Sequence, residues 1–501
     1  MNRWTVALGG MLLMICLGTI YSWSLFTQPL IACFGWSTTT TTFAFSLAIF
    51  CLGLGALVGG RLQDRIGPRQ VAITSAVLWG GANVLAGLGT PYLGAGWLCL
   101  TYGVAGGIGV GMGYVTAVTA VTKWFPNRRG LGSGIAVTGF GLGAVIYNLA
   151  VKSLPSFRAA AAEAARCAKA AHAGGVTRLL GAGQMHAVMN VLTLSGIAFV
   201  VLGLLAASLL ANPTAPAQPT QPTRPGKAKA AAARHSYTTR QMLATRQFYL
   251  LWATLFLNVT AGIILISNAL PILQELTGAS PAAVAAAYGG VALFNTLGRF
   301  FWGALSDRIG PTRSFCLIFL LQAVVFFLLG SAHTLAWALV AYAVVLLCYG
   351  GGFGTMPSMN ADYFSTRHMG ANYGALLTAW GAAGVAGPLF VAAANDANGA
   401  FSGALPLVSI VLAAATILPL LTRKPAARIR RCAAIFLPSF TPGFARLDAT
   451  IAKMAAVMRE PTASRMPLVS PGPSTITGFG VPARTQRVAL HPAVQTSDRR
   501  C

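Results

Sequence analysis

Arg299 stands inside an apolar stretch, eight positions before Asp307. If that stretch is a helix crossing a bilayer and ending at the Asp307 loop, 1.5 Å per residue puts the Arg299 Cα about 12 Å inside the loop, close to mid-depth. A permanently charged group there costs at least roughly 2.5 kcal/mol and must face a cavity or a partner. None of the nine acids supplies that partner. Asp64, Asp307 and Asp362 lie at the inner ends of apolar runs, Glu163 and Asp396 in outer loops, Glu275 near an outer end, and Asp448, Glu460 and Asp498 in the C-terminal tail. A guanidinium without a carboxylate offers two parallel N–H donors to one, so the chemistry implied is capture of an organic anion. The competing reading is a structural arginine whose side chain snorkels to the inner surface.

The same arithmetic brings aromatic residues to Arg299's level: Tyr114, nine residues before Lys123; Phe353, nine before Asp362; and Trp380, eight after Asn372. They could line a cavity, stack on a flat substrate and donate from a Tyr hydroxyl or Trp N–H, although aromatic side chains also fill helix interfaces. Tyr21, Trp23 and Tyr147 fall farther out, where an interfacial aromatic belt competes with a binding role. The glycine-rich run from Gly106 to Gly113 lies within an apolar span and not after a strand, so close helix packing is expected there, not dinucleotide binding. His333 and His368 have no metal-ligand partner at useful spacing; no metal and no cofactor are expected.

The elements holding these residues follow from composition. Of 501 residues 55% are hydrophobic and 9% charged, with a mean hydropathy of +0.67. So few charges cannot cover a chain of this length in water, which excludes a soluble enzyme and makes the bilayer the surroundings. Twelve apolar runs start near Val6, Thr41, Gln70, Gly96, Leu131, Val188, Phe248, Ala282, Ser314, Leu335, Asn372 and Phe401. Arg3 precedes the first, which continues to about Phe26 without a small-x-small cleavage site and is read as a membrane helix. The expected fold is therefore an all-α membrane protein with twelve transmembrane helices in two six-helix repeats.

Basic residues concentrate in alternate loops: Arg61, Arg65 and Arg69; Lys123, Arg128 and Arg129; six from Arg224 to Arg246; Arg308 and Arg313; Arg367. Five of the six opposite loops have none, and the exception, Lys152 to Arg178, reads as an external amphipathic segment. Both termini are thus expected in the cytoplasm of a cell membrane, the inner membrane for a bacterial chain. The net charge of +26 reports this bias plus a tail holding 13 of the 35 Lys and Arg, not nucleic-acid binding. Nine cysteines without paired spacing indicate neither a disulfide framework nor a zinc site. The expected organisation is a six-helix bundle over 1–211, a Pro/Ala/Lys cytoplasmic linker over 212–246, a second bundle over 247–422, and a basic, disordered cytoplasmic tail over 423–501.

The halves repeat. Gly60, Asp64, Arg65, Gly67 and Arg69 follow the second span in GRLQDRIGPR, and Gly303, Asp307, Arg308 and Gly310 follow the eighth in GALSDRIGPTR. Glycine permits close helix approach and a tight turn, the aspartate can sit at a neighbouring helix N-terminus, and the arginines hold the inner face: a pair of gates. Two parallel repeats point to a transporter.

These paired loops resemble the signature of the major facilitator superfamily. The segments GTIYSWSLF (18–26), KWFPNRRGLGSGIAVTGFGLGA (123–144), FYLLW (248–252), LNVTAGI (257–263), NTLGRFFWGALSDRIG (295–310) and NYGALLTAWGAAG (372–384) resemble its oxalate:formate antiporter family. The resemblance implies a non-enzymatic, monomeric carrier of a small organic anion, working by alternating access and as an exchanger, with Arg299 on the substrate. Oxalate-selective members are similar but have a lysine where this chain has Trp380, which removes one of two cations for a dicarboxylate. A monocarboxylate such as formate, lactate or pyruvate is then at least as good a candidate as oxalate. Proton-coupled symport, or a membrane sensor built on the same fold, are the alternatives.

Overall fold

The computed structural model describes residues 1–172, 180–213, 236–398, 403 and 405–425. Most of the linker and of the C-terminal tail, and the end of the Lys152 to Arg178 segment, lie outside the described residues. Every regular element among them is helical.

The first crossing is α1 (Arg3–Gly18) continued through a tight turn at Thr19–Ser22 into α2 (Ser24–Phe34). It therefore runs eight residues beyond the apolar run that marks it in the sequence. Then follow α3 (Thr38–Ile66), α4 (Pro68–Leu98), a π-wound turn at Cys99–Gly106 leading into α5 (Gly107–Trp124), and α6 (Arg129–Ser153). Pro68–Trp124 is one stretch of 57 residues. Gly94, at φ 71°, breaks it, so that α4 and α5 pack side by side as two crossings. The segment α7 (Pro155–His172) is a helix on which Phe157, Ala160 and Ala164 are buried at amphipathic spacing. The first half ends with α8 (Ala182–Ser208).

After the short α9 (Thr239–Leu243), the second half repeats this order: α10 (Arg246–Ser267) with α11 (Ala269–Thr277), then α12 (Pro281–Val291) with α13 (Leu293–Ile309). The remaining crossings are α14 (Pro311–Leu329), α15 (Leu335–Phe364), α16 (Met369–Asn398), and α17 (Leu405–Ala415) with α18 (Ile417–Leu421). Each expected run overlaps a helix among the described residues, although the start expected near Phe401 lies outside them, and eight helical stretches are long and apolar enough to cross a membrane. Where two helices follow each other with one residue between, as α12 with α13 at Ala292 and α17 with α18 at Thr416, that residue keeps right-handed helical dihedrals.

Within the first half, α1 packs on α5, α6 and α8, α3 on α5, and α4 on α8. Within the second, α13 and α14 pack on α15, α10 on α16, and α14 on α17. The halves meet in a swapped pairing, α3 against α16 and α13 against α6. Small residues permit these approaches: a Cβ at Gly298 would collide with the Leu347 carbonyl, and one at Gly350 with the Asn295 carbonyl. Gly289 has no heavy atom within 4 Å of where its Cβ would lie. Gly298→Ala should therefore cost about 1–3 kcal/mol through overpacking, whereas Gly289→Ala should be neutral or slightly stabilising. Thermal unfolding of the purified variants measures the difference.

Candidate functional site

Arg299, on α13, is completely buried. Its Nε donates to Asn295 Oδ1 at 3.3 Å, one turn earlier on the same helix, and Nη1 donates to the Val137 carbonyl of α6 at 3.3 Å. The guanidinium carbon lies 5.3 Å from the Phe140 ring centroid and 5.1 Å from that of Phe353, so ring faces replace part of the lost hydration. Nη2 has no hydrogen-bond partner. Arg299 has no carboxylate partner among the described residues.

An aromatic box surrounds this group. Trp380 of α16 packs against Tyr114 of α5 at 5.0 Å, Phe353 of α15 at 4.6 Å and Phe140 of α6 at 5.7 Å, all edge-on. Tyr21, on the turn between α1 and α2, contacts Phe140 at 5.3 Å and Trp380 at 6.3 Å. Its hydroxyl shares a 2.9 Å hydrogen bond with the Tyr349 hydroxyl, and the Arg299 guanidinium and Trp380 indole are neighbours of the same oxygen. The Tyr114 and Tyr373 hydroxyls lie near each other and near Arg299, yet neither completes a well-directed hydrogen bond. Trp380 Nε1 is also without a partner. Tyr114, Phe353, Tyr373 and Trp380 are, like Arg299, sealed from solvent. What converges here is Arg299 Nη2 and Trp380 Nε1, which can only donate, and the Tyr114 and Tyr373 hydroxyls, which can donate or accept, with no carboxylate among the described residues beside them. An acceptor-only carboxylate would satisfy several at once.

Five of the six candidate residues come together: Arg299, Trp380, Tyr114, Phe353 and Tyr21. Tyr21 was expected farther out, and the turn at Thr19–Ser22 brings it inward. Tyr147 stays apart, its hydroxyl 2.8 Å from Ser195 Oγ and its ring between Phe26 and Phe199, in a separate aromatic group. The residues not anticipated are Asn295, Phe140, Tyr349 and Tyr373. Each had a signal: Asn295 and Tyr349 precede Arg299 and Phe353 by one turn, Tyr373 precedes Trp380 by two, and Phe140 is eleven residues into α6.

On the face that carries the repeated loops, the two motifs build matching clasps. Asp64 at the end of α3 accepts the backbone N–H groups of Gly370 at 3.3 Å and Ala371 at 2.8 Å, the first turn of α16. Asp307 at the end of α13 accepts those of Gly130 and Leu131 at 2.8 Å each, the first turn of α6. Both carboxylates sit on helix N-termini of the opposite half, where unpaired N–H groups and the helix dipole favour negative charge. The crossing is close because side chains are missing: a Cβ at Gly60 would strike the Gly370 carbonyl, and one at Gly303 would lie 2.5 Å from the Gly130 carbonyl.

Gly67 and Gly310 take φ of 92° and 89°, turning the chain into the prolines that begin α4 and α14. Lys123 pairs with Asp64 at 3.3 Å, and Arg129 of α6 pairs with Asp362 of α15 at 3.0 Å, a further link between halves. Arg69 Nη2 donates to the Ser208 carbonyl at the end of α8. Arg65 and Arg308 are exposed in the last turns of α3 and α13.

The sequence pattern of the Major Facilitator Superfamily matches residues 6–388 and, in the second half, 250–438. The chain belongs to this superfamily and is a multi-pass membrane transporter, not an enzyme. It is 28% identical over 74% of its length to an oxalate:formate antiporter of Oxalobacter formigenes, covering 80% of that protein. It is 26% identical over 74% of its length to apicoplast pyruvate carrier 1 of Toxoplasma gondii, again covering 80% of the relative. An Escherichia coli fucose:proton symporter shares the fold, with a TM-score of 0.60 at 15% identity over 84% of this chain and 98% of that one.

If the clasps hold this face shut, Asp64→Asn and Asp307→Asn should each shift the balance toward a form open on this face by roughly 5- to 30-fold, from 1–2 kcal/mol of lost charge–dipole interaction. Spin labels on Arg128 and Arg308 positions should then show a longer distance component. An unchanged distance distribution in both variants would rule the clasps out as gates.

Proposed function

We propose that the chain carries a small monocarboxylate across the membrane by alternating access, as an exchanger, with Arg299 as the cation that receives the carboxylate. The observation that carries this reading is the buried guanidinium with an unpartnered Nη2 and no carboxylate beside it among the described residues. One monoanion brings the site to zero net charge. A dianion leaves a second charge in a low-dielectric enclosure with aromatic walls and no second cation. The names of two relatives, an oxalate:formate antiporter and a pyruvate carrier, favour small carboxylates, mono- and dianionic, as the broader substrate class. Residues 1–211 and 247–422 would then be the two moving bundles, with both termini cytoplasmic and the Asp64 and Asp307 clasps closing the inner side.

Arg299→Gln should abolish saturable uptake of labelled formate, lactate or pyruvate into reconstituted vesicles, by roughly 30-fold or more, while folded monodisperse protein is retained. Retained saturable uptake would overturn the assignment. Trp380→Lys should move competition from monocarboxylates toward oxalate by placing a second cation in the box. Oxalate competing as well as a monocarboxylate in the parent protein would instead show that one cation suffices for a dianion.

A further inference from the structure

Away from the aromatic box, the chain has a lateral groove of about 620 Å³ between the start of α10 and α18, lined by Arg246, Tyr249, Leu250, Leu420, Leu421 and Arg423. It lies at the clasped face, since α10 starts there and α18 ends there. Its two ends differ in chemistry. Leu420 and Leu421 are more than half exposed, on the side that meets hydrocarbon, and Tyr249 is 53% exposed, the setting of an interfacial aromatic residue. Arg246 and Arg423 form a cationic rim, and neither makes an ion pair among the described residues.

The arginine side chains are exposed, but the backbone that presents them is held in place. Arg246 opens α10. The backbone of Arg423 is tied to that helix, its carbonyl accepting from Gln247 Nε2 at 3.1 Å, and the Thr422 carbonyl accepts from the buried Tyr363 hydroxyl at 2.5 Å. Two arginines are thus presented from an anchored backbone beside a leucine-lined trough.

We infer that the groove binds an anionic glycerophospholipid of the adjoining leaflet, its phosphate taken by Arg246 and Arg423 and an acyl chain lying along Leu250, Leu420 and Leu421. Charge selects this occupant. Guanidinium pairs prefer phosphate oxygens, and a zwitterionic headgroup brings its own cation to the rim. The site also has a route to the gate. Tyr363, which holds the Thr422 carbonyl, is next to Asp362, the partner of Arg129 in the other half, and Lys424 Nζ is 4.0 Å from the second Asp362 oxygen. A lipid that fixes Arg423 therefore braces the segment packed behind one of the cross-bundle ion pairs.

The test is native mass spectrometry of the full-length protein in detergent, titrated with phosphatidylglycerol or phosphatidylcholine. The parent should retain one phosphatidylglycerol in preference to phosphatidylcholine, and each of Arg246→Gln and Arg423→Gln should lower that retention roughly fivefold. Arg246→Lys with Arg423→Lys should recover most of it, which separates loss of charge from loss of fold. Inorganic phosphate at millimolar concentration should not displace the lipid, because it has nothing to place in the trough. Equal retention of both lipids by the parent, unchanged retention in the Gln variants, or displacement by phosphate alone would each overturn the inference. In vesicles, exchange should rise with the phosphatidylglycerol fraction in the parent and lose that dependence in the double Gln variant.

Discussion

A guanidinium held in the middle of an apolar bundle without a carboxylate is the constraint around which this structure is arranged. Desolvating such a group is prohibitive unless its donors and its charge are met by fixed partners. The chain meets most of that demand with weak partners: an amide oxygen, one backbone carbonyl and two aromatic faces. Each lowers the cost of the charge without neutralising it. A buried aspartate at the same depth would have stabilised the arginine more strongly, and would also have competed with any incoming anion. On the proposed reading, leaving the charge incompletely compensated keeps the site open to an anion, and the bundles must pack well elsewhere to tolerate it.

Packing elsewhere rests on the duplicated loops. One sequence pattern, used twice, produces the same interaction twice: a carboxylate at the end of one helix placed on the first turn of a helix in the other half, over a glycine-to-glycine crossing. The duplication explains why the interface is swapped, α3 to α16 and α13 to α6. Side chains at the crossings would separate the helices and pull the carboxylates out of reach of the N–H groups, so glycine and aspartate act as one device. Being short, polar and close to water, these contacts are also the ones that can break and re-form at small cost, in contrast to the interleaved packing within each half.

Much of this was legible in the sequence because membrane helices obey simple rules. Depth follows from counting residues, so Tyr114, Phe353, Trp380 and Arg299 could be placed at one level before any coordinates. The duplicated Asp64 and Asp307 motifs announced that equivalent contacts would be made at both places, down to the helix N-terminus as the partner of each carboxylate. Counting gives height, however, and not azimuth. Whether Tyr147 or Tyr349 faces the centre depends on how its helix is rotated, and that is set by packing against several neighbours at once. Tyr21 was misplaced for a different reason. The depth rule assumes 1.5 Å per residue, and the tight turn at Thr19–Ser22, followed by α2, extends the first crossing and moves its middle. Phe140 escaped because its neighbours in GIAVTGFGLGA look like packing residues, and only the guanidinium beside it gives the ring a second role.

The binding box and the clasps are built from the same rods. Arg299 and Asp307 share α13, Trp380 and Ala371 share α16, Val137 and Phe140 share α6 with Gly130, and Phe353 shares α15 with Asp362. Whatever reorients one end of these helices reorients the other. On the proposed reading, an empty carrier that changes direction must take an uncompensated charge and its orphaned donors through a conformation in which the enclosure closes around nothing. A loaded carrier takes a neutral pair, with those donors satisfied. The first passage has the higher electrostatic barrier, because the charge is desolvated without a partner, while the second is relieved by the substrate itself. Slow return of the empty form and fast return of the loaded form is the kinetic condition for exchange. On that reading, the same missing carboxylate that would make Arg299 a receptor for anions would also favour one-for-one exchange over net uptake.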